Sequence, residues 1–443
     1  MRRLHAYAGF LVSFWLLVLT LTGLLLNHEK NLFSLDFLWR VELPRSLFSD
    51  QALKRNGKAD ITSAVKTPAG YFIGAFSGLY APSGRRVYEG RVFKVELLRS
   101  RPRPELLLAT DDGLKLYKAG KVETLALKGR KVTAVSLSYP KVLLVVDRRD
   151  LYLYDFNEKR TLFIPTPLKA EPTKEVTLKR FVRDFHYGRG LLPGESSALL
   201  NDAFSVALLV STVSGFLYFL VRKSRRRRLK RFLFRVHASR LLIVTLPFVL
   251  LLALTGLFIN RPRLYEPLLK EKLPELLTPP VYRAPFYDVW DADLSSGTVR
   301  IATRLGLYEL KRGRWELVYE GFTYRLRRFG ERLYLAGMGV PNRLLYKGRC
   351  YELPGVVKMP VDFVVKNGQV VPVSRSELPL EREKLPLYEF LLSLHDATLI
   401  TPVLNDLTGV LTVFLTLSAS YFWLKRIKVR FTAKMPQPGR SED

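Results

Sequence analysis

The chain has 443 residues, with 71 Lys and Arg against 40 Asp and Glu, a net charge of +31, and is 48% hydrophobic. A single cysteine, Cys350, excludes an intramolecular disulfide framework, a Cys-x-x-Cys-His haem attachment and any four-cysteine iron–sulfur or zinc site. The hydrophobic residues are concentrated in a few long runs, which makes this an integral membrane protein.

Four windows, 8–26, 203–221, 241–259 and 404–424, read as spanning helices, each close to the ~20 apolar residues that cross a ~30 Å hydrocarbon core. The first begins MRR, but its apolar run is too long for a signal peptide and no small-residue cleavage site follows, so it reads as a retained anchor. The predicted organisation is span one at 1–28, an outer β-rich segment at 29–197, span two at 198–222 and a basic loop at 223–236. Span three at 237–260, a second outer segment at 261–400, span four at 401–424 and a tail at 425–443 complete it.

MRR, RKSRRRRLKRFLFR at 222–235 and KRIKVRFTAK after the fourth span all fall on one side, which the positive-inside rule makes cytoplasmic. Both termini are then inside a bacterial inner membrane and the two long segments outside. The run at 222–235 reads as a topology determinant; anionic lipid is the other ligand its charge would suit, and no nucleic-acid partner is expected.

Both outer segments show short alternating runs closed by Gly-Leu-Tyr-like turns: IGAFSGLYA, LLATDDGLKLY and LLVVDRRDLYLYD in the first, RIATRLGLYEL and RLYLAGMGV in the second. Gly78, Gly113 and Asp150 recur at 35 and 37 residues, and Gly306 and Gly339 at 33. That period predicts propeller-like blades or an open meander, with the two segments either joined in one six-bladed domain or folded separately. Cys350 is expected to be a small buried residue, with an intermolecular disulfide as the alternative.

The chain repeats one plan. LTLTGLLLN at 19–27 matches LALTGLFIN at 252–260, each preceded by a histidine (RLHAYAG, RVHASRL). LLND at 199–202 matches VLND at 403–406, again each preceded by a histidine (FHYG, LHDA). Asn201 to Ser214 and Asn405 to Ser418 share one spacing; His5 to Asn27 and His237 to Asn260 differ by one residue, which a kink at Pro247 would absorb. Two pseudo-symmetric halves of two helices each are expected.

All five histidines lie at span ends or in their flanks, where ionisable residues are costly and are functional candidates. Imidazole is a good iron ligand, and a haem needs two facing ring nitrogens from different helices. His5 with His237 at the cytoplasmic side, and His186 with His395 at the outer side, would supply the iron ligands of two b-type haems. His28, whose repeat counterpart is Arg261, either replaces His186 as outer ligand or sits beside the haem. Gly9, one turn from His5, would let a flat porphyrin approach the backbone, and Arg240 either pairs with a propionate or snorkels to the interface. Asp202 and Asp406 read as N-terminal helix residues favoured by the macrodipole, and Gly23 and Gly256 as close-packing positions.

The pattern LH-x-x-x-G followed by LTG-x-L-x-N, then H-x-G, LND and SG-x-x-x-x-x-x-RK, resembles the PepSY-associated transmembrane family. That resemblance covers the four helices and their flanks. It implies an inner-membrane, ferric-siderophore-reductase-like protein that delivers electrons to ferric chelates outside the membrane. No Gly-x-Gly-x-x-Gly after a strand and no phosphate-binding loop is present, so the electrons must come from membrane quinol or a separate cytoplasmic donor. Two other functions stay open: a cytochrome b subunit wiring a periplasmic oxidoreductase to quinone, and a non-enzymatic scaffold or sensor whose β-rich domain binds a protein.

Overall fold

The computed structural model describes residues 1–28, 35–100, 103–165, 176–193, 196–283, 288–295, 297–353 and 359–432, with backbone alone at 426–432. The last part of the expected tail, 433–443, lies outside the described residues. Among the described residues three helices are long and apolar enough to cross a membrane: α1 (Arg2–Asn27), α3 (Ser196–Val221) and α8 (Val403–Thr432, apolar through Lys425), separated in sequence by the elements below. At about 1.5 Å per residue, the 26 residues of α1 rise about 39 Å, enough for the hydrocarbon core and both interfaces. Their outward faces carry side chains such as Leu11 and Phe14, 69% and 74% exposed, as a lipid-facing surface does.

The stretch expected as a third span at 237–260 differs from a single helix and counts as a fourth candidate span only when its bent parts are taken together. It is built from α4 (Arg227–His237), α5 (Arg240–Val244) and α6 (Leu246–Asn260), and the axis turns by 79° at Thr245. Pro247 sits in the first turn of α6, where its missing N–H costs no hydrogen bond. The break therefore falls just before the proline rather than at it. The residues read as a basic loop are mostly helical, because Leu, Phe and Arg recur there at helical spacing. In the bundle α1 packs against α3 and α8, and α8 against α6.

The outer segments form antiparallel sheets. Five have four strands in simple meander order and a sixth has two. Their first strands are β1 (Ile61–Thr67), β2 (Val92–Arg99), β3 (Val132–Ser138), β4 (Val289–Ser295), β5 (Thr323–Phe329) and β6 (Asp362–Lys366). Each packs beside the next, and β6 packs beside β1. The hydrophobic core crosses the two segments: Leu143 and Val145 share one cluster with Val289, Ile301 and Tyr308. In five of these strands the register slips just after the first residue, at Ser63, Lys94, Ala134, Asp291 and Arg325. Such bulges sharpen the twist and re-aim side chains.

The re-aimed side chains build a buried polar network. Lys94 Nζ lies 2.7 Å from Asp291, Ser63 Oγ donates to Asp362 at 2.8 Å, and Arg327 donates to Asp362 at 2.5 and 2.8 Å and to Glu96 at 2.7 Å. The turn glycines are demanded by close approach: a Cβ on Gly113 or Gly306 would strike the carbonyl of Ala126 or Tyr319 on the adjacent strand. Cys350 is free and only partly buried, against Leu345 and its neighbours.

A ribbon of Glu42–Pro44 with Lys384–Pro386 brings the start of the first segment beside the end of the second. Two short helices then lead from the sheets to the membrane: α2 (Leu178–His186) before α3, and α7 (Leu387–His395) before α8. Each ends on a histidine.

Candidate functional site: two imidazole pairs

Both short helices are clamped to the sheets by buried charge. In α2, Asp184 accepts a hydrogen bond from Tyr282 at 3.1 Å and lies 3.7 Å from Arg180. Burial pushes the Tyr282 hydroxyl far up, with the Asp184 charge adding to it. In α7, Glu389 accepts from Arg382 at 3.1 Å, and Arg382 also holds Asp60 at 2.8 and 3.0 Å. Asn56 donates to Ser393 and to Asp396 at 3.0 Å each, pinning the end of α7. The histidines at these helix ends are thus carried by rigid supports.

His186 and His395 meet with ring centres 6.3 Å apart and planes at 48°; His5 and His237 meet at 6.5 Å and 63°. The pairs sit at opposite ends of the bundle. His395 rests on Thr22 and Gly23 of α1, and eighteen residues of that helix, about 27 Å, separate Gly23 from His5.

The hydrogen bonds fix the tautomers. His395 Nδ1 lies 2.9 Å from Thr22 Oγ1, whose own proton goes to the Val18 carbonyl. His186 Nδ1 lies 3.3 Å from Thr255 Oγ1, whose proton goes to the Leu252 carbonyl. His5 Nδ1 lies 2.6 Å from Ser418 Oγ, which donates to the Leu415 carbonyl. His237 Nδ1 lies 2.9 Å from the Ser211 carbonyl. His237, facing a carbonyl, must donate from Nδ1; with each hydroxyl proton on its carbonyl, the other three imidazoles donate from Nδ1 as well, which leaves Nε2 its lone pair.

Glycines make room for the rings. A Cβ on Gly23 would stand 3.1 Å from His395 Cε1, one on Gly256 3.3 Å from His186 Cε1, and one on Gly215 2.8 Å from His237 Cε1. The Thr-Gly dipeptides of the repeated LTG motif are therefore imidazole seats, a role the sequence reading gave to neither Thr22 nor Thr255. The signal was the repeat itself, but the histidine each seat receives comes from the other half of the chain.

The remaining candidates fall elsewhere. His28 Nε2 is 3.0 Å from Asp202, which also accepts from Asn27 at 2.6 Å. Asp406 is bound in the same way by Asn260 and by two donors of Arg261, the counterpart of His28. Asp202 and Asp406 thus tie the outer ends of neighbouring helices together. Gly9 faces Leu415 of α8, and Arg240 is exposed at the start of α5. Trp15 donates to Asn405 at 2.8 Å, and Asn405 in turn donates to the His395 carbonyl at 2.8 Å. Among the described residues no group of three or more His, Cys, Asp or Glu could hold a metal ion.

Fold and site define a multi-pass membrane protein with β-rich segments between its spans. A family model described as the PepSY-associated TM region matches residues 2–426, so the chain belongs to that family. No curated protein matches it. Among solved structures, the extracellular domain of a putative hybrid two-component system from B. thetaiotaomicron is 10% identical, with a TM-score of 0.33 over 66% of this chain and 27% of that one. A second such domain from the same organism gives 11%, 0.29, 68% and 35%, and a computationally designed protein, Ika8, gives 8%, 0.31, 73% and 87%. Scores this low carry no argument about function.

Proposed function

We propose that the protein is a dihaem b-type electron carrier, with His5 and His237 holding one haem and His186 and His395 the other. One observation carries this reading: four imidazoles meet in two pairs at opposite ends of the bundle, every one engaged through Nδ1. The ring centres lie 6.3 and 6.5 Å apart, so His186 with His395 and His5 with His237 would each hold one haem through Nε2. Hydrogen bonding through the second ring nitrogen is how proteins orient a metal-bound histidine. Two protein ligands per site are too few for a lone ion, whereas a porphyrin brings its own four nitrogens.

Bound there, haem supplies one-electron redox chemistry. The chain's contribution is position: Thr22, Thr255 and Ser418 hold the tautomers, and α2 and α7 carry the outer pair on buried ionic clamps. The basic residues at the end shared by both termini support a cytoplasmic position for that end, in a bacterial inner membrane. Electrons then enter near His5 and His237, from quinol or a cytoplasmic donor, and leave near His186 and His395 for an acceptor outside. Ferric chelates are the favoured acceptor class from the family resemblance, and the outer side carries a domain large enough for a substrate surface. In this reading the six sheets are blades of one propeller shared by two pseudo-symmetric halves.

The test is a reduced-minus-oxidised spectrum of the purified full chain with haem stoichiometry. Two low-spin haems per chain are expected; a protein without haem would leave the scaffold or sensor reading. For the acceptor, ferric chelates confined to the outer side of liposomes should accelerate reoxidation of the reduced protein. No acceleration with any chelate would favour a cytochrome subunit serving a periplasmic partner.

A further inference from the structure

The third crossing begins with a helix whose charge has no counterpart. Between Asp202 and Glu266 the sequence contains no acidic residue, yet α4 carries Arg227, Arg228, Arg231 and Arg235, all exposed. Among the described residues none of these four forms an ion pair. At 100° per residue they occupy one arc of the helix, and Leu229, Phe232, Leu233 and Val236 occupy the opposite arc. Leu233 is buried, whereas Phe232 is 61% exposed.

The position of α4 says what should cover both arcs. The 79° turn at Thr245 lays α4 and α5 across the end of the bundle rather than along it. Phe234 packs on Tyr218 of α3 at 5.6 Å, and Lys230 donates to the Arg222 carbonyl at 3.4 Å. Arg222 in turn lies 5.2 Å from the Tyr7 ring near the start of α1. The helix therefore lies where the spans emerge from the hydrocarbon, beside Leu241 and Val244 of α5, which are 76% and 71% exposed. A helix in that plane, apolar toward the acyl chains and cationic toward the headgroups, has the chemistry of an interfacial lipid-binding element.

We infer that α4 binds anionic phospholipid, with headgroup phosphates between Arg227, Arg228, Arg231 and Arg235 and with Phe232 and Val236 at the acyl boundary. A soluble acidic protein would satisfy the arginines but leave Phe232, Leu241 and Val244 in water. The inference is independent of whether His237, at the end of the same helix, holds a haem. The arginines are more than topology determinants here, because they form one arc rather than a scattered charge.

The experiment uses the full chain in mixed micelles of phosphatidylglycerol and phosphatidylcholine, with bound lipid counted by native mass spectrometry. Wild type should retain phosphatidylglycerol preferentially, and the preference should fall roughly fivefold with each Arg→Gln change among the four. Arg→Lys changes, which keep the charge, should retain it. Because removing four positive charges can disturb insertion, wild type alone supplies a second reading: its preference should weaken as salt rises. Equal retention of the two lipids, a preference that survives Arg227→Gln, Arg228→Gln, Arg231→Gln and Arg235→Gln together, or displacement of the lipid by inorganic phosphate would overturn the proposal.

Discussion

Gly23 lies beneath the imidazole of His395, leaving space for no more than a hydrogen: a Cβ there would stand 3.1 Å from Cε1. Gly256 stands in the same relation to His186, and Gly215 to His237 at a closer 2.8 Å. Alanine at these positions should raise helix propensity by about 1 kcal/mol. Any loss of haem is then attributable to displaced rings. Overpacking of this kind costs about 1–3 kcal/mol, roughly a five- to hundredfold loss of affinity. If the pairs hold haem as proposed, Gly215→Ala should lose the most, from the pair at His5 and His237, and Gly256→Ala the least, from the other pair. Titration of apoprotein with haem measures both, and unchanged affinity in all three variants would remove the seats from the mechanism.

Single histidine replacements should separate the sites. His5→Ala or His237→Ala is expected to remove one haem and spare the other, and His186→Ala or His395→Ala to do the converse. His28→Ala should spare both, because its Nε2 is engaged by Asp202. His28→Arg should be tolerated as well, since Arg261 makes the equivalent pair with Asp406. Difference spectra decide it: loss of a haem in His28→Ala with both retained in His186→Ala would make His28 the outer ligand.

Much of this arrangement was legible in the sequence, and what was not has physical causes. The four apolar runs, the repeat and the matched histidines needed only local spacing. A kink was expected at Pro247, but its 79° size and its place at Thr245 were hidden because a hydropathy window averages across them. The helical character of 227–237 was masked by its charge, which looks like a loop when read without its period. The packing of β6 beside β1, some three hundred residues away in the chain, is encoded by no local pattern, which left one joint domain and two separate ones both open. The Thr-Gly seats were visible as a repeat but not as seats, because Thr22 receives a histidine 373 residues on.

The buried network inside the sheets should be stability-critical. Arg327 is 6% exposed and is the cation between Asp362 and Glu96. Arg327→Met would leave both carboxylates without it, a loss of about 3–5 kcal/mol for a broken buried pair. Arg327→Met with Asp362→Leu should recover part of that, because the fully buried charge is gone as well. Thermal unfolding of the full chain in detergent should rank wild type first, the double variant next and the single variant last. A single variant as stable as wild type would show that the network is solvated.

A pH-dependent term should come from Glu389. It is fully buried, and one cation, Arg382, serves both it and the buried Asp60. Burial, reinforced by the Asp60 charge, holds the Glu389 carboxyl well above its ordinary value of 4.5. Burial also pushes Asp60 upward, but the Arg382 guanidinium outweighs it and keeps that carboxyl below 3.8. A proton on the pair is therefore held on Glu389 rather than on Asp60. For Glu389 the folded protein binds the proton more tightly than the unfolded chain does. Its contribution to stability is then complete below pH 4.5 and is lost as pH rises toward the folded value, by at most about 1.4 kcal/mol per pH unit. Asp60 has the opposite sign, with a contribution present above 3.8 that is lost as pH falls through its lower folded value. Glu389→Gln keeps a neutral hydrogen-bonding group and removes the titration, so its stability should not decline above pH 4.5 as that of wild type does. Denaturant unfolding of both proteins in detergent across the mildly acidic to neutral range measures the difference, in which titrating groups remote from the pair cancel. Parallel curves would show that Glu389 is ionised in the folded protein and that Arg382 neutralises both carboxylates.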